Sequence, residues 1–166
     1  DELTSYLHVD RSKRYLNALG FPGVMNFALD IDAHDASVGD NAYYSPVTIE
    51  LHFGQGGVDD GQDPDIVYHE YGHAIQDNQV PGFGQTDEGG AMGEAFGDYW
   101  AAALMEEASQ ADLGPECMGE WDATAFNPWN GSFGSGCLRR LDNTWEYPRD
   151  LRFEVHDDGE IWNAAL

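Results

Sequence analysis

Two histidines four residues apart, His69 and His73, constrain the fold of this chain more than any other feature. Residues with this spacing lie on one face of an α-helix, so both imidazoles can bind a single metal ion. Glu70 follows the first histidine and is within reach of a water molecule on that metal. A surface helix can carry the same residues without any metal. The sequence that follows decides between these alternatives.

A carboxylate further along the chain can supply the third ligand. Catalytic zinc usually takes three protein ligands and leaves one position for water. Glu94 follows His73 after a segment long enough for a loop and a returning helix. Asp98 lies four residues later on the same helical face, where it can orient a ligand histidine. Because the residues around both carboxylates are mostly apolar, this face is not predicted to be solvated, and we predict a metal site.

The two motifs resemble the thermolysin type of gluzincin zinc metallopeptidases. The sequence Gly-Glu-Ala-Phe-Gly-Asp at residues 93–98 is similar to the fungalysin-like branch, in which glycine often precedes the ligand glutamate. Residues 40–44 resemble the edge strand that holds substrate backbone in this family. Residues 137–142 and 154–162 resemble the segments with a substrate-binding arginine and a second catalytic histidine. The order of all segments matches over residues 40–162.

The resemblance assigns the metal centre residue by residue. It implies that His69, His73 and Glu94 bind Zn²⁺ and that Glu70 is the general base. It also implies that Asp98 accepts a hydrogen bond from a ligand histidine, for which His69 is the first choice. Zinc in such sites lowers the pKa of a bound water to about 7 and polarises the scissile carbonyl.

Substrate-binding roles follow from the same resemblance. His156 is expected to stabilise the oxyanion, with Asp150 or Glu154 as its orienting carboxylate. Asn41 and the backbone of Ala42 are expected to bind the peptide as an added strand. Arg139 is expected to hold a substrate carbonyl, with Arg140 as its competitor.

One departure and two further expectations accompany the resemblance. Thermolysin-type members carry a tyrosine before the ligand glutamate, and residues 83–87 contain none. Asp65 matches a calcium-binding aspartate of the family, and acidic residues at and beyond the end of the second helix (Glu106, Glu107 and Asp112) could supply further oxygen ligands. The alternative is that Asp65 is a helix N-cap. Cys117 and Cys137 are expected to pair in an exported protease, with free buried thiols as the alternative.

The predicted fold is α+β, because strands come first and helices follow. The resemblance implies a zincin-type metalloprotease fold with a strand-rich lobe over residues 1–64 and a helical or irregular C-terminal lobe over residues 65–166. We expect a single catalytic unit over residues 1–166 that is incomplete at its C-terminus. The predicted elements are a helix over 3–19, strands over 25–31 and 47–53, the zinc helix over 66–78, a second helix over 90–109, and irregular structure over 111–135.

Composition excludes several classes of partner. The net charge is −24, with 31 acidic residues against 7 basic ones, which argues against nucleic acid and anionic membranes. No segment approaches the roughly 20 apolar residues of a membrane span. The acidic residues are spread along the chain, and adaptation to high salt or abundant calcium sites would each explain them.

The leading functional hypothesis is a secreted zinc endopeptidase that acts on peptides or proteins. The first alternative is a gluzincin aminopeptidase, which needs an acidic anchor motif for the substrate amine that we do not find. The second is a zincin-fold binding module with weak turnover, which the missing tyrosine favours. Cleavage preference cannot be read from these motifs.

Overall fold

A computed structural model describes residues 1–108, 114–125 and 136–166. Within these ranges the chain forms an α+β arrangement, as predicted. The elements, in chain order, are α1 (Glu2–Ala18), β1 (Asp30–Asp32), β2 (Ala42–Ser45), β3 (Glu50–Phe53), α2 (Pro64–Gln79), α3 (Asp87–Ala108), β4 (Cys117–Met118), β5 (Arg139–Arg140) and α4 (Val155–Asn163). Short 3₁₀ helices lie at Asp60–Gln62, Phe83–Gln85 and Asp122–Thr124.

Helix α2 is the central element, and it begins two residues before the predicted start. Pro64 occupies the first turn, where its missing N–H costs nothing. The Asp63 carboxylate caps the helix by accepting a hydrogen bond from the Asp65 backbone N–H at 2.9 Å. The N-cap alternative for Asp65 is therefore wrong. Its own carboxylate accepts a hydrogen bond from the Gly119 N–H at 3.0 Å instead, which ties the start of α2 to the segment after β4.

Glycines allow α2 to pack closely against α3, and α3 to pack closely against α4. A Cβ built at Gly72 would lie 2.9 Å from the Gly97 Cα, so α2 and α3 approach closely at this pair. A Cβ at Gly159 of α4 would lie 2.8 Å from the Cβ of Glu94 on α3. These contacts bring residues of all three helices to one place, because helices separated by glycines can approach more closely than helices separated by larger side chains.

The three-stranded sheet has the order β1-β3-β2, with β1 parallel and β2 antiparallel to β3. Leu51 and Phe53 of the central strand are fully buried in the core. Strand β2 is at an edge, so one side of its backbone is not used within the sheet. This is the edge that the resemblance assigned to substrate binding.

Both predicted long strands are wrong in extent. Strand β1 covers residues 30–32 and β3 covers 50–53. Met25 and Ile49 have φ values of +50° and +58°, in the left-handed region that a strand does not use. Met25 is buried as a single core residue, and its N–H donates to the Asn78 Oδ1 at 3.2 Å. The other apolar residues at these places do not share this burial, since Phe27, Val47 and Ile49 are exposed.

The C-terminal segment contains a Cys117–Cys137 disulfide, so the predicted pairing is confirmed. It lies beside the two-stranded β4–β5 ribbon, in which Cys117 is opposite Arg140. Part of the predicted irregular segment, including Asp112, lies outside the described residues. The described part, 114–125, holds β4 and a 3₁₀ helix. Among the residues that the structure describes, no helix combines the length and apolar character that crossing a membrane requires.

Candidate metal centre

Nitrogen and oxygen atoms from α2 and α3 converge on one point. His69 Nε2 lies 3.0 Å from His73 Nε2 and 3.2 Å from Glu94 Oε2, and His73 Nε2 lies 3.5 Å from Glu94 Oε1. Ligands placed tetrahedrally around a zinc ion at about 2.0–2.1 Å are roughly 3.3 Å apart. Glu94 Oε2 is buried and accepts no hydrogen bond. The donor set, its spacing and this unsatisfied oxygen all fit a zinc ion.

Asp98 supports the centre from the next turn of α3. Its Oδ1 lies 2.8 Å from His69 Nδ1, so the imidazole donates there and directs Nε2 towards the convergence point. Arg139 donates to both oxygens of the same carboxylate, at 2.7 and 2.6 Å. Asn163 donates a further hydrogen bond from α4 at 2.9 Å. Asp98 thus joins α2, α3, β5 and α4.

The charges at the centre are strongly coupled. Burial opposes a charge on His69, but the Asp98 and Glu94 carboxylates outweigh it and raise the pKa of His69 to about 10. Burial and the neighbouring His69 charge lower the pKa of His73 to about 4. Burial acts against ionisation of Glu94, yet the histidines lower its pKa to about 2. The site is therefore arranged to hold positive charge, which a metal cation can supply in place of a proton.

Glu70 is a buried carboxylate with a raised pKa next to His69. Its side chain is 6% exposed, and its Oε2 has no hydrogen-bond partner. Burial, more than any nearby charge, raises the pKa of Glu70 to about 7. A base is most effective when its pKa is close to the working pH, so this carboxylate is suited to proton transfer near neutrality.

His156 lies in the first turn of α4 and faces the centre. Its Nε2 is 3.6 Å from Glu94 Oε2, and its Nδ1 is 2.7 Å from Glu154 Oε1. Of the two carboxylates considered, Glu154 is therefore the one in contact with His156. Asp150 instead accepts a hydrogen bond from the Glu146 N–H and pairs with Arg149.

The centre lies at the base of a cleft of about 1280 Å³. Strand β2 forms one wall, and both Asn41 and Ala42 line it. The 3₁₀ helix Phe83–Gln85 forms part of another wall, at the segment where the family tyrosine is missing. The C-terminal wall includes Trp145, and the Arg152 guanidinium carbon lies 4.2 Å from the centre of its ring.

Arg139 and Arg140 both line the cleft but have different partners. Two nitrogens of Arg139 are engaged by Asp98, which leaves its third guanidinium nitrogen outside this pair. Arg140 pairs with Asp142 at 2.8 Å and with Glu116 at 3.3 Å. Of the two arginines, Arg139 is the one anchored to the metal centre through Asp98.

Sequence reasoning missed several polar residues of the cleft and of the hydrogen bonds behind the metal centre. Asn163 is seven residues after His156, and this spacing puts both residues on one face of α4. The spacing was the sequence signal that could have identified Asn163 as part of the site. Asp40, Asp60 and Asp122 form a separate acidic cluster. They are far apart in sequence and no motif connects them. None of the candidate metal clusters among the described residues includes Asp65, so calcium at that position stays a prediction.

A helix that presents His-Glu-x-x-His, with a carboxylate from the following helix, defines a gluzincin-type metallopeptidase centre. Residues 54–166 match the family described as Fungalysin metallopeptidase (M36). The chain belongs to this family, which confirms the resemblance.

Curated relatives carry related names. Extracellular metalloproteinase 9 of Coccidioides posadasii is 30% identical over 106 residues, which cover 61% of this chain and 16% of the relative. Extracellular metalloproteinase mep of Aspergillus flavus has the same identity and coverage. Extracellular metalloproteinase 2 of Arthroderma otae is 28% identical over 106 residues, 61% of this chain and 17% of its own. The match thus spans about a sixth of the length of these relatives.

Proposed function

We propose that this chain is a zinc-dependent endopeptidase unit that hydrolyses peptide bonds. The observation that carries the proposal is the convergence of His69 Nε2, His73 Nε2 and the Glu94 carboxylate within 3.0–3.5 Å of one another. Zn²⁺ held there would acidify a bound water and polarise the substrate carbonyl. Residues from both predicted lobes, 1–64 and 65–166, line the cleft, which supports one catalytic unit.

The residues around the centre have separable roles. Glu70 takes the proton of the attacking water and passes it to the leaving amine, because its raised pKa lets it carry that proton at neutral pH. His156 donates from Nε2 to the developing oxyanion, while Glu154 accepts from Nδ1 and fixes the ring. Asp98 orients His69 and holds Arg139 at the cleft.

The edge strand favours an endopeptidase over an aminopeptidase. Strand β2 pairs with β3 on one side, and its residues line the cleft next to Asn41. An extended peptide can pair with this edge strand. We infer that Arg139, which also lines the cleft, binds a substrate carbonyl. A peptide bound in this way continues in both directions and needs no terminal amine.

A binding module with weak turnover is the second candidate. The 3₁₀ helix Phe83–Gln85 lies on the cleft wall without the tyrosine that assists the oxyanion in thermolysin-type relatives. His156 would then be the main side-chain donor. This candidate shares the zinc site and differs only in the rate of hydrolysis.

Secretion is part of the proposal. The relatives are named extracellular metalloproteinases, and the Cys117–Cys137 disulfide is typical of an oxidising compartment.

The test compares Glu70→Gln with wild type for zinc content and casein hydrolysis. The exposed Glu88→Gln of α3 is a matched control, since it makes the same chemical change outside the cleft. We expect Glu70→Gln to keep its zinc and lose activity, and Glu88→Gln to retain both. A zinc-loaded wild type without measurable hydrolysis supports the binding module. A fully active Glu70→Gln rejects the proposed base.

A further inference from the structure

Three aspartates from separate loops meet on a wall of the cleft, apart from the zinc ligands. Asp40 precedes β2, Asp60 begins the 3₁₀ helix before α2, and Asp122 begins the 3₁₀ helix after β4. One carboxylate oxygen from each lies within 4.8 Å of the other two. Asp40 is exposed, whereas Asp60 and Asp122 are 1% and 7% exposed. The cluster is therefore buried on one side and open on the other.

The two buried carboxylates are incompletely satisfied. Asp60 Oδ2 and Asp122 Oδ1 are both buried and accept no hydrogen bond. Leaving buried carboxylate oxygens without a donor is unfavourable, and placing them side by side adds repulsion. Burial, together with Asp122 and Asp40, raises the pKa of Asp60 to about 8. Burial, together with Asp63 and Asp40, raises the pKa of Asp122 to about 6. Arg139 favours the ionised form of Asp122, but its guanidinium is paired with Asp98.

Backbone contacts hold the cluster together despite this repulsion. The Asp122 N–H donates to the Asp63 carboxylate at 2.8 Å, which fixes that loop to the N-cap of α2. The Gly56 N–H donates to the Gly39 carbonyl at 3.0 Å. Gly57 has φ +62°, and a Cβ there would lie 2.5 Å from the Asp40 carboxylate. The glycine loop thus packs directly against Asp40.

We propose that Asp40, Asp60 and Asp122 bind a second divalent cation, calcium, independently of zinc. The donor set is entirely carboxylate oxygen, which suits a hard cation and lacks the nitrogen or sulfur ligands typical of protein zinc sites. Calcium takes six to eight oxygens, and water from the open side at Asp40 can complete that number. Magnesium demands a stricter octahedron and retains more of its water.

A cation here would fix the loop before β2 to the start of α2. Asp40 immediately precedes Asn41 and Ala42, the expected peptide-binding residues, while Asp60 lies just before the helix with the zinc ligands. The cation would thereby set the distance between the edge strand and the metal centre. This inference goes beyond the proposed function and its test does not use hydrolysis.

The test measures calcium binding to the 166-residue chain reconstituted with one equivalent of zinc. Calorimetric titration with calcium chloride and thermal melting, both at fixed ionic strength, are compared for wild type and the Asp60→Asn/Asp122→Asn variant. We expect the variant to lose one bound calcium, or to bind it roughly 100-fold more weakly, because affinity follows the number of charged ligands. Without calcium, the Asp60→Asn/Asp122→Asn variant should have a higher melting temperature than wild type, because the repulsion between the carboxylates is removed.

Three further variants make the result specific. Asp30→Asn removes the same charge from an exposed position and should bind calcium as wild type does. Asp40→Asn alters only the exposed ligand, so it keeps the test valid if the double variant fails to fold, and it should weaken binding roughly tenfold. Loss of all calcium binding in Asp65→Asn, with binding intact in Asp60→Asn/Asp122→Asn, would overturn the proposal.

Wild type that shows no saturable calcium binding would also overturn it. If the melting temperature of wild type also changes between pH 6 and 9 but not with calcium, the cluster instead holds a proton shared between Asp60 and Asp122.

Discussion

Gly97 of α3 lies directly against the imidazole of His69, and a Cβ built there would be 2.7 Å from Nδ1. The same Nδ1 donates to Asp98 one residue further along α3. A glycine at this position therefore allows the Asp98 carboxylate to reach the histidine that it orients. The metal centre depends on the absence of a side chain as well as on the ligands themselves.

Gly97→Ala should weaken zinc binding although alanine favours a helix more than glycine does. The added methyl group would displace the His69 ring and break its bond to Asp98. We expect a roughly 10- to 100-fold loss of zinc affinity, the range for losing a partner that orients a ligand. Competition titration with a zinc chelator measures it. Gly84→Ala, where an added Cβ meets no atom within 4 Å, is the control. Equal affinities for both variants would show that the close contact has no effect.

The helices were predicted well because residues within and next to α2 and α3 indicate helical structure without reference to distant parts of the chain. Pro64 and Asp63 start α2, and the spacing of His69, His73, Glu94 and Asp98 requires helical geometry on both sides of the loop. The strands were overestimated because alternation of apolar residues cannot distinguish a strand from a loop or turn, and Met25 and Ile49 both have left-handed backbone conformations.

The remaining parts of the site depend on contacts between distant segments. Asn163 reaches Asp98 across 65 positions, and Asp122 is brought to Asp60 by a loop that follows β4. The helical spacing of Asn163 from His156 does not identify Asp98 as its partner, and no motif connects Asp122 with Asp60. Glu154 could be chosen over Asp150 as the partner of His156 only once the start of α4 was known.

His8 predicts an acid-sensitive contribution to stability. It is buried beside the Tyr68 hydroxyl at 2.8 Å, and burial lowers the pKa of His8 from 6.5 to about 4. Below pH 6.5 the unfolded chain therefore takes up a proton that the folded chain does not. The His8 contribution falls as the pH drops from about 6.5 to about 4, by about 3 kcal/mol in total, and is constant below that.

Urea unfolding at pH 7.5 and 4.5 measures this contribution. His8→Gln keeps a polar partner for Tyr68 without a titrating ring, so it should lose less unfolding free energy than wild type between the two pH values. Identical losses in both proteins would contradict a neutral buried His8.

Glu154 and His156 should affect turnover without affecting zinc. His156→Ala is expected to reduce kcat roughly 100- to 1000-fold, the usual effect of losing an oxyanion donor. Glu154→Gln should reduce kcat less than His156→Ala does, because the imidazole keeps its Nε2 donor but loses the carboxylate that fixes its ring. Asp150→Asn is the control and should leave kcat unchanged. A loss of kcat in Asp150→Asn, with Glu154→Gln fully active, would assign the orienting role to Asp150.

Salt should stabilise the fold. Twenty-four excess negative charges repel one another, and screening shortens the range of this repulsion from about 30 Å at 0.01 M to about 3 Å at 1 M. If the surface is adapted to high salt, the melting temperature continues to rise between about 0.5 and 3 M sodium chloride, where the Debye length changes little. Melting is measured at fixed zinc and calcium. A flat or falling curve in that range would reject halophilic adaptation and leave the metal centre unaffected.

Zinc content after gel filtration tests the metal centre most directly. Wild type should retain one zinc per chain, whereas His73→Ala and Glu94→Gln should lose most of it because each removes one of three converging ligands. Glu88→Gln, an exposed glutamate in the first turn of α3, should retain the wild-type amount. A wild type without zinc after reconstitution, or full zinc retention in both ligand variants, would contradict a centre formed by His69, His73 and Glu94.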